Sequence, residues 1–180
     1  MNSMEKVAIV TGTTSGIGYE TCLSLARDGY YTFATVRNTK KAEKILQIAK
    51  KENLKIEIIE MDVDDEKSIS TAIQKILSKK QQIDVLVNNA GWGLFGSVED
   101  VPIKDFRAQF ETNFFGIISI IQKVAPIMRK QKSGVIVNIS SVAGKIGFPG
   151  SPAYISSKFA LEGLFESLRY ELGQFGVKVV

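Results

Sequence analysis

The sequence contains no histidine, and this absence excludes the catalytic centres and metal sites that depend on an imidazole ring. Neither a Ser-His-Asp triad nor a Cys-His pair can be assembled from these residues. Cys22 is the only cysteine, so the chain can form neither an internal disulfide framework nor a cysteine cluster for a metal ion. We therefore expect no metal site and a cytoplasmic location, where thiols stay reduced.

Long apolar runs are also missing. The richest run, residues 117–121, is far shorter than the roughly 18 consecutive apolar residues of a membrane-spanning helix. Residues 1–6 show none of the basic, apolar and cleavage segments of a signal peptide. The formal charge is only +4, and Glu43 and Glu52 interrupt the lysine-rich stretch that follows Arg37. We expect no membrane span and no nucleic-acid partner.

The 180 residues suit one domain, and short β-branched runs alternate along it with amphipathic segments. Near-continuous apolar runs are typical of strands buried on both faces of a parallel sheet. Strict alternation of strand and helix predicts an α/β fold, a doubly wound parallel sheet with helices on both faces. The predicted strands are Val7–Val10, Thr32–Val36, Ile56–Glu60, Val85–Asn88, Val135–Ile139 and Val177–Val180.

Two long apolar stripes predict helices near the middle and the end of the chain. One stripe runs from Phe106 to Met128 with three-and-four spacing, and the other runs from Leu161 to Phe175, with Gly176 placed as a C-cap. Each helix also carries apolar or small residues away from its stripe, which predicts a second packing partner and hence a homodimer or homotetramer. These residues are Phe115, Ile118, Phe159 and Gly163.

A glycine-rich turn follows the first predicted strand, in the order Thr11-Gly12-Thr13-Thr14-Ser15-Gly16-Ile17-Gly18. Gly12 permits the tight turn, Gly16 lets the backbone approach a pyrophosphate, and Gly18 lets the following helix pack closely on the sheet. The free N–H groups of the first helical turn favour a phosphate. The alternative is an ordinary glycine-rich turn between a strand and a helix.

The residue type at the end of the second predicted strand indicates which of the two nicotinamide dinucleotides is preferred. In this fold an acid at that place binds a ribose 2′-hydroxyl, whereas an arginine accommodates a 2′-phosphate. Here the position holds Arg37 with no acid beside it, which predicts a preference for NADP(H) over NAD(H). Lys40 and Lys41 follow, and for these two a solvated helix start is the favoured interpretation.

Several polar residues are predicted to meet at the carboxyl edge of the sheet, where open α/β folds bind ligands. Tyr154 and Lys158 are four residues apart on one helix face, and Ser141 lies just beyond the fifth strand. The run Asn88-Asn89-Ala90-Gly91 ends the fourth strand, and Asn113 lies in the long helix. Each feature alone is common, and their combination is specific.

Together these motifs resemble the short-chain dehydrogenase/reductases, in particular the compact single-domain members with a Rossmann-type sheet. The resemblance implies that Tyr154 is the general acid/base, that Lys158 stabilises its phenolate and binds ribose, that Ser141 orients the substrate oxygen, and that Asn113 supports a proton relay. Family members continue for several tens of residues after the sixth strand, so this chain is expected to be truncated at its C-terminal side. The implied cofactor contacts are Gly12, Thr14, Ser15, Gly16, Ile17, Gly18, Arg37, Asp62, Val63, Asn89, Ala90, Gly91, Tyr154 and Lys158.

The substrate is less clearly indicated than the cofactor. The loops after Gly91 and before Tyr154 carry the apolar residues Trp92, Phe95, Ile146 and Phe148. They favour a lipophilic ketone or alcohol and resemble the steroid- and retinoid-active members, although ordinary packing explains them equally well. Two functions follow: a carbonyl or alcohol oxidoreductase, and alternatively a scaffold or sensor that binds NADPH without turnover.

Overall fold

The computed structural model describes residues 5–180, and one six-stranded sheet forms the centre of this part of the chain. All neighbouring strands are parallel, in the order β3-β2-β1-β4-β5-β6. The six predicted strands are confirmed, and each boundary agrees to within one residue. The strands are β1 Val7–Thr11, β2 Tyr31–Val36, β3 Ile56–Glu60, β4 Val85–Asn88, β5 Gly134–Asn138 and β6 Val177–Val179.

Helices connect the strands and cover both faces of the sheet. Short 3-10 turns at Thr39–Ala42 and Val142–Gly144 follow β2 and β5. The predicted doubly wound α/β architecture is therefore confirmed. The helices are α1 Gly16–Arg27, α2 Glu43–Glu52, α3 Glu66–Lys80, α4 Ile103–Phe110, α5 Gly116–Gln131 and α6 Pro152–Gly173.

Alternate residues of the central strand β1 enter two separate hydrophobic cores. Val7 and Ile9 pack with α3, α5 and α6 on one face, whereas Ala8 and Val10 pack with α1 and α2 on the other. Because successive side chains of a strand point to opposite faces, an unbroken apolar strand needs helices on both sides. This packing brings the loops at the carboxyl ends of the strands together at one edge.

The long middle helix differs from its prediction. The apolar stripe from Phe106 to Met128 predicts one regular helix, but a π-helical turn, Glu111–Phe115, separates α4 from α5. A π turn inserts an extra residue into the helical ladder, and such turns occur frequently at functional sites. Directly after it, Gly116 packs so closely on the loop after β3 that a Cβ would lie 2.4 Å from the Val63 carbonyl oxygen.

Gly176 has a different role from the predicted helix cap. Helix α6 already ends at Gly173, and Gly176 lies beyond it with a φ of +76°. A Cβ at this position would also approach the carbonyl oxygen of Lys132 to 2.5 Å. The glycine is therefore required by the left-handed backbone and by its contact with the segment that leads into β5.

Within residues 5–180, no helix is both long enough and apolar enough to cross a membrane. The prediction about a signal peptide concerns residues 1–6, of which residues 1–4 lie outside the described part of the chain.

Candidate active site

A cleft of about 700 Å³ opens at the carboxyl edge of the sheet. Its wall combines the loop after β1, the ends of β2 and β4, and the start of α6, so residues that are distant in sequence meet there. Gly16, Gly18, Asp62, Asn113 and Ser141 are not part of the wall. The predicted site residues that line the cleft are Gly12, Thr14, Ser15, Ile17, Arg37, Val63, Asn89, Ala90, Gly91, Tyr154 and Lys158.

The loop Thr11–Gly18, which we call the phosphate loop, depends on its three glycines in different ways. Gly12 has a φ of +69°, and a Cβ there would lie 2.9 Å from the Ala90 Cα. A Cβ on Gly18 would lie 2.3 Å from Nδ2 of Asn89 and 2.5 Å from the Gly12 carbonyl oxygen, so a side chain is excluded at both positions. Gly16, with a φ of +61°, has open space around it.

The first turn of α1 is available to an anionic ligand. Ser15 occupies the N-cap position, but its side chain makes no capping hydrogen bond. The N–H groups of this turn therefore keep their donor capacity, and the helix dipole adds a partial positive charge. The open backbone at Gly16 and these donors fit the pyrophosphate of a dinucleotide.

Hydrogen bonds fasten the phosphate loop to the end of β4. The Thr11 hydroxyl accepts the backbone N–H groups of Asn89 and Ala90, each at 2.9 Å. In return, the Asn89 side-chain amide donates to the carbonyl oxygens of Thr11 and Gly12 at 2.9 and 3.1 Å. Asn89 therefore braces the loop with its side chain.

Two cations line the cleft at the end of β2. Arg37 is exposed and belongs to the wall, and Lys41 lies beside it there. Asn38 accepts the Lys40 backbone N–H at 3.0 Å and shapes the turn between them, whereas Lys40 itself is not part of the wall. Both lysines are exposed, so the interpretation of a solvated helix start stays a prediction for Lys40 and Lys41. Together, Arg37 and Lys41 suit a ribose 2′-phosphate.

Asp62 supports the cleft from just outside it. Its backbone N–H donates to the Ser68 hydroxyl at 2.9 Å, and its carboxylate accepts the Asp64 N–H at 3.1 Å. These bonds shape the loop before α3, and the neighbouring residues Met61 and Val63 line the cleft.

Tyr154 and Lys158 lie on the first turns of α6 and face the same cleft. The Lys158 ammonium lies 5.7 Å from the centre of the Tyr154 ring and donates to the Ile139 carbonyl oxygen at 2.8 Å. Lys158 is only 6% exposed, and this burial lowers its pKa, while the charge of Glu162 opposes that shift.

Asn113 stands in the π-helical turn and joins three parts of the site. Its side-chain oxygen accepts the Trp92 backbone N–H at 3.0 Å. Its amide donates to the Trp92 carbonyl oxygen at 2.9 Å and to the Ser157 hydroxyl at 3.2 Å. The residue thereby ties the loop after β4 to α6 next to Lys158.

Two adjacent serines follow β5, and they occupy different environments. Ser141 caps the 3-10 turn by accepting the Ala143 N–H at 3.1 Å, and Ser140 lines the cleft. A hydroxyl that accepts one hydrogen bond keeps its own proton to donate, so the cap leaves Ser141 able to bind a substrate oxygen. Sequence reasoning selected Ser141 and missed Ser140.

A short chain dehydrogenase family model matches residues 6–180. The chain belongs to this family. Among its relatives, the uncharacterized oxidoreductase YusZ of Bacillus subtilis is 46% identical over 97% of this chain and 62% of its own length. Human retinol dehydrogenase 8 is 38% identical over 98% of this chain and 57% of its own length. Mouse 17-beta-hydroxysteroid dehydrogenase type 1 is 38% identical over 96% of this chain and 52% of its own length.

Solved structures of the family share the fold. A metagenomic short-chain oxidoreductase in complex with NADP superposes with a TM-score of 0.93 at 32% identity, over 98% of this chain and 81% of that chain. The chain spans only about half to two thirds of the length of these curated relatives.

Trp92 is held in the cleft wall by a hydrogen-bond network that could not be predicted from the sequence. Its indole N–H donates to the Thr112 hydroxyl at 3.0 Å, which in turn donates to the Asp64 carboxylate at 3.0 Å. Phe95 also lines the cleft, whereas Ile146 and Phe148 are exposed and are not part of its wall. Of the residues predicted to form an apolar rim, those of the loop after β4 therefore line the cleft, and those of the loop before α6 do not.

Proposed function

We propose that this protein is an NADP(H)-dependent oxidoreductase that interconverts a carbonyl and an alcohol group on a lipophilic small molecule. The observation that carries the proposal is that the phenol of Tyr154 and the buried ammonium of Lys158 line the same cleft as the phosphate loop. A single domain spanning residues 1–180 and a cytoplasmic location stay predictions from the sequence.

The proposed roles of the residues are those implied by membership of the family, and the positions of Tyr154 and Lys158 in the cleft wall support them. NADPH, when bound, would supply the hydride. Tyr154 donates the proton to the carbonyl oxygen, and Lys158 stabilises the phenolate that remains. Ser141 donates a hydrogen bond to the same oxygen and orients the substrate. Asn113 holds α6 against the loop after β4 and supports proton return to Lys158.

The preference for NADP(H) depends on the cations at the end of β2. Replacing Arg37 with alanine should weaken NADPH binding by about 1.5–3 kcal/mol, the range for a charge-assisted hydrogen bond, and leave NADH binding nearly unchanged. Titration of nicotinamide fluorescence measures both affinities. Lys40→Ala is the matched control, because Lys40 is not part of the cleft wall. Equal affinity of the parent protein for the two cofactors would contradict the preference.

The substrate class is proposed from the apolar wall and from the relatives. Trp92 and Phe95 line the cleft, and two relatives are named for retinol and a hydroxysteroid. The complete protein should therefore consume NADPH faster with retinoid and steroid carbonyls than with small hydrophilic ketones, as followed by NADPH absorbance. Tight NADPH binding without turnover of any carbonyl in such a panel would favour the scaffold or sensor instead.

The exposed aromatic residues of α6 and of the π-helical turn before α5 support the proposed homodimer or homotetramer. Phe115 and Phe159 are 49% and 45% exposed, an unfavourable state for large apolar side chains. Light scattering at micromolar concentration should give a dimer or larger, and Phe115→Glu should shift the mass towards the monomer. A monomeric parent protein would contradict this prediction.

A further inference from the structure

Helix α6 carries a third ionisable residue on the face that holds the catalytic pair. Glu162 follows Lys158 by four residues, as Lys158 follows Tyr154, so the three side chains lie on successive turns. The Glu162 carboxylate pairs with the ammonium of Lys145 at 2.7 Å, and its side chain is 29% exposed. Lys145 directly follows the 3-10 turn that Ser141 caps.

The contact between α6 and this turn is close. A Cβ on Gly144 would lie 2.8 Å from the Ser140 hydroxyl oxygen and 3.0 Å from Cγ of Glu162. The Ser140 hydroxyl is buried there without a hydrogen-bond partner among residues 5–180. A larger residue at position 144 would therefore require the Ser140 or Glu162 side chain to move, and glycine lets the turn pack directly on Glu162.

The charges around Glu162 keep its carboxylate ionised. The ammonium of Lys145 is the main cause of the lowered pKa of Glu162, so the carboxylate is ionised at neutral pH. The groups that face Lys158 are Tyr154 and Glu162 on its own helix and the uncharged Ile139 carbonyl oxygen at the end of β5. The charge of Glu162 raises the pKa of Lys158 against the effect of burial.

We propose that Glu162 is a positioning residue for the active site. Through Lys145 and Gly144 it ties the turn that carries Ser141 to the helix that carries Tyr154 and Lys158. Neither Glu162 nor Lys145 lines the cleft, so the effect is exerted through other residues. The catalytic consequence rests on the proposed function, whereas the structural tie does not.

Amide hydrogen exchange tests the link between the turn and α6, and it requires no substrate. In the complete protein, Glu162→Gln and Lys145→Met should each accelerate exchange of the backbone N–H groups of the turn by about fivefold or more. Each change removes the salt bridge that holds the turn on α6, so the turn opens locally more often. These groups include the N–H of Gly144 and of Lys145, which donate to the carbonyl oxygens of Ser141 and Val142. Glu166→Gln, an exposed carboxylate one turn further along α6, should leave exchange unchanged.

Kinetics test the consequence. Glu162→Gln and Lys145→Met should each lower kcat by about tenfold, since misplaced catalytic groups lose rate, and should leave NADPH affinity within about twofold. The double variant should be no slower than either single variant, because both changes break one link. In alcohol oxidation, Glu162→Gln should also move the alkaline fall in rate to lower pH, because the pKa of Lys158 loses its supporting charge. Lys145→Met retains that charge and should not do so.

The outcomes distinguish the structural link between the turn and α6 from its effect on catalysis. Unchanged exchange in both variants would contradict the structural link. Faster exchange with unchanged kcat and pH profile would overturn the positioning role. Faster exchange in a protein that turns over no carbonyl would support the tie and count against the proposed function.

Discussion

Replacing Tyr154 with phenylalanine should lower the rate of carbonyl reduction by about 100-fold or more, because it removes the proposed general acid, and such groups contribute roughly 10²–10⁴ in rate. The fold should persist, since the substitution retains the ring that packs against the loop after β4. A Cβ on Gly93 in that loop would lie 3.7 Å from the ring. NADPH affinity should change little, because the phosphate loop and Arg37 are untouched.

The measurement is single-turnover NADPH oxidation in the complete protein, with NADPH affinity determined separately. Tyr170→Phe provides a matched control, because Tyr170 lies on the same helix and is 80% exposed to solvent. Its rate should equal that of the parent protein. A Tyr154→Phe protein with the turnover of the parent would require another acid, and the assignment of Tyr154 would have to be abandoned.

The strands of this fold could be predicted closely from the sequence because their composition is unambiguous. Runs such as Val7–Val10 and Val85–Asn88 are short and rich in apolar, β-branched residues. Such strands are buried when helices pack on both faces of the sheet. The glycine spacing then placed the phosphate loop at the end of β1. Local composition and period were sufficient for these features.

The π-helical turn could not be predicted, because its apolar residues keep the same spacing as those of a regular helix. Phe110, Phe114 and Ile117 continue the stripe across the irregular turn without a visible break. The turn depends on tertiary bonds between Asn113 and Trp92, which are 21 residues apart in sequence. A one-dimensional period carries no signal for such bonds.

The same limit applies to parts of the candidate site. Beyond the end of β5 the alternation of side chains ends, so the sequence could not show which of Ser140 and Ser141 lines the cleft. Lys41 reaches the wall because the turn capped by Asn38 redirects the chain. The link between Glu162 and Lys145 depends on how closely two elements approach at Gly144, which only the structure shows.

Replacing Lys158 with methionine should have the second large effect, and it should act in two ways. NADPH should bind about tenfold more weakly or worse, because the proposed hydrogen bond from the Lys158 ammonium to the ribose is lost. The rate at neutral pH should fall by about 100-fold or more.

This loss should not come from unfolding. Burial lowers the pKa of Lys158 below its ordinary value of 10.5, so between the lowered value and 10.5 the unfolded chain binds more protons than the folded one. The contribution of Lys158 to the free energy of unfolding therefore rises with pH across that window. At neutral pH the buried ammonium lowers the free energy of unfolding. Methionine retains much of the side-chain length and removes that cost. Lys158→Met should thus unfold in urea at the midpoint of the parent protein or above it at pH 7, and a much lower midpoint would mean that Lys158 is retained for the fold rather than for the reaction.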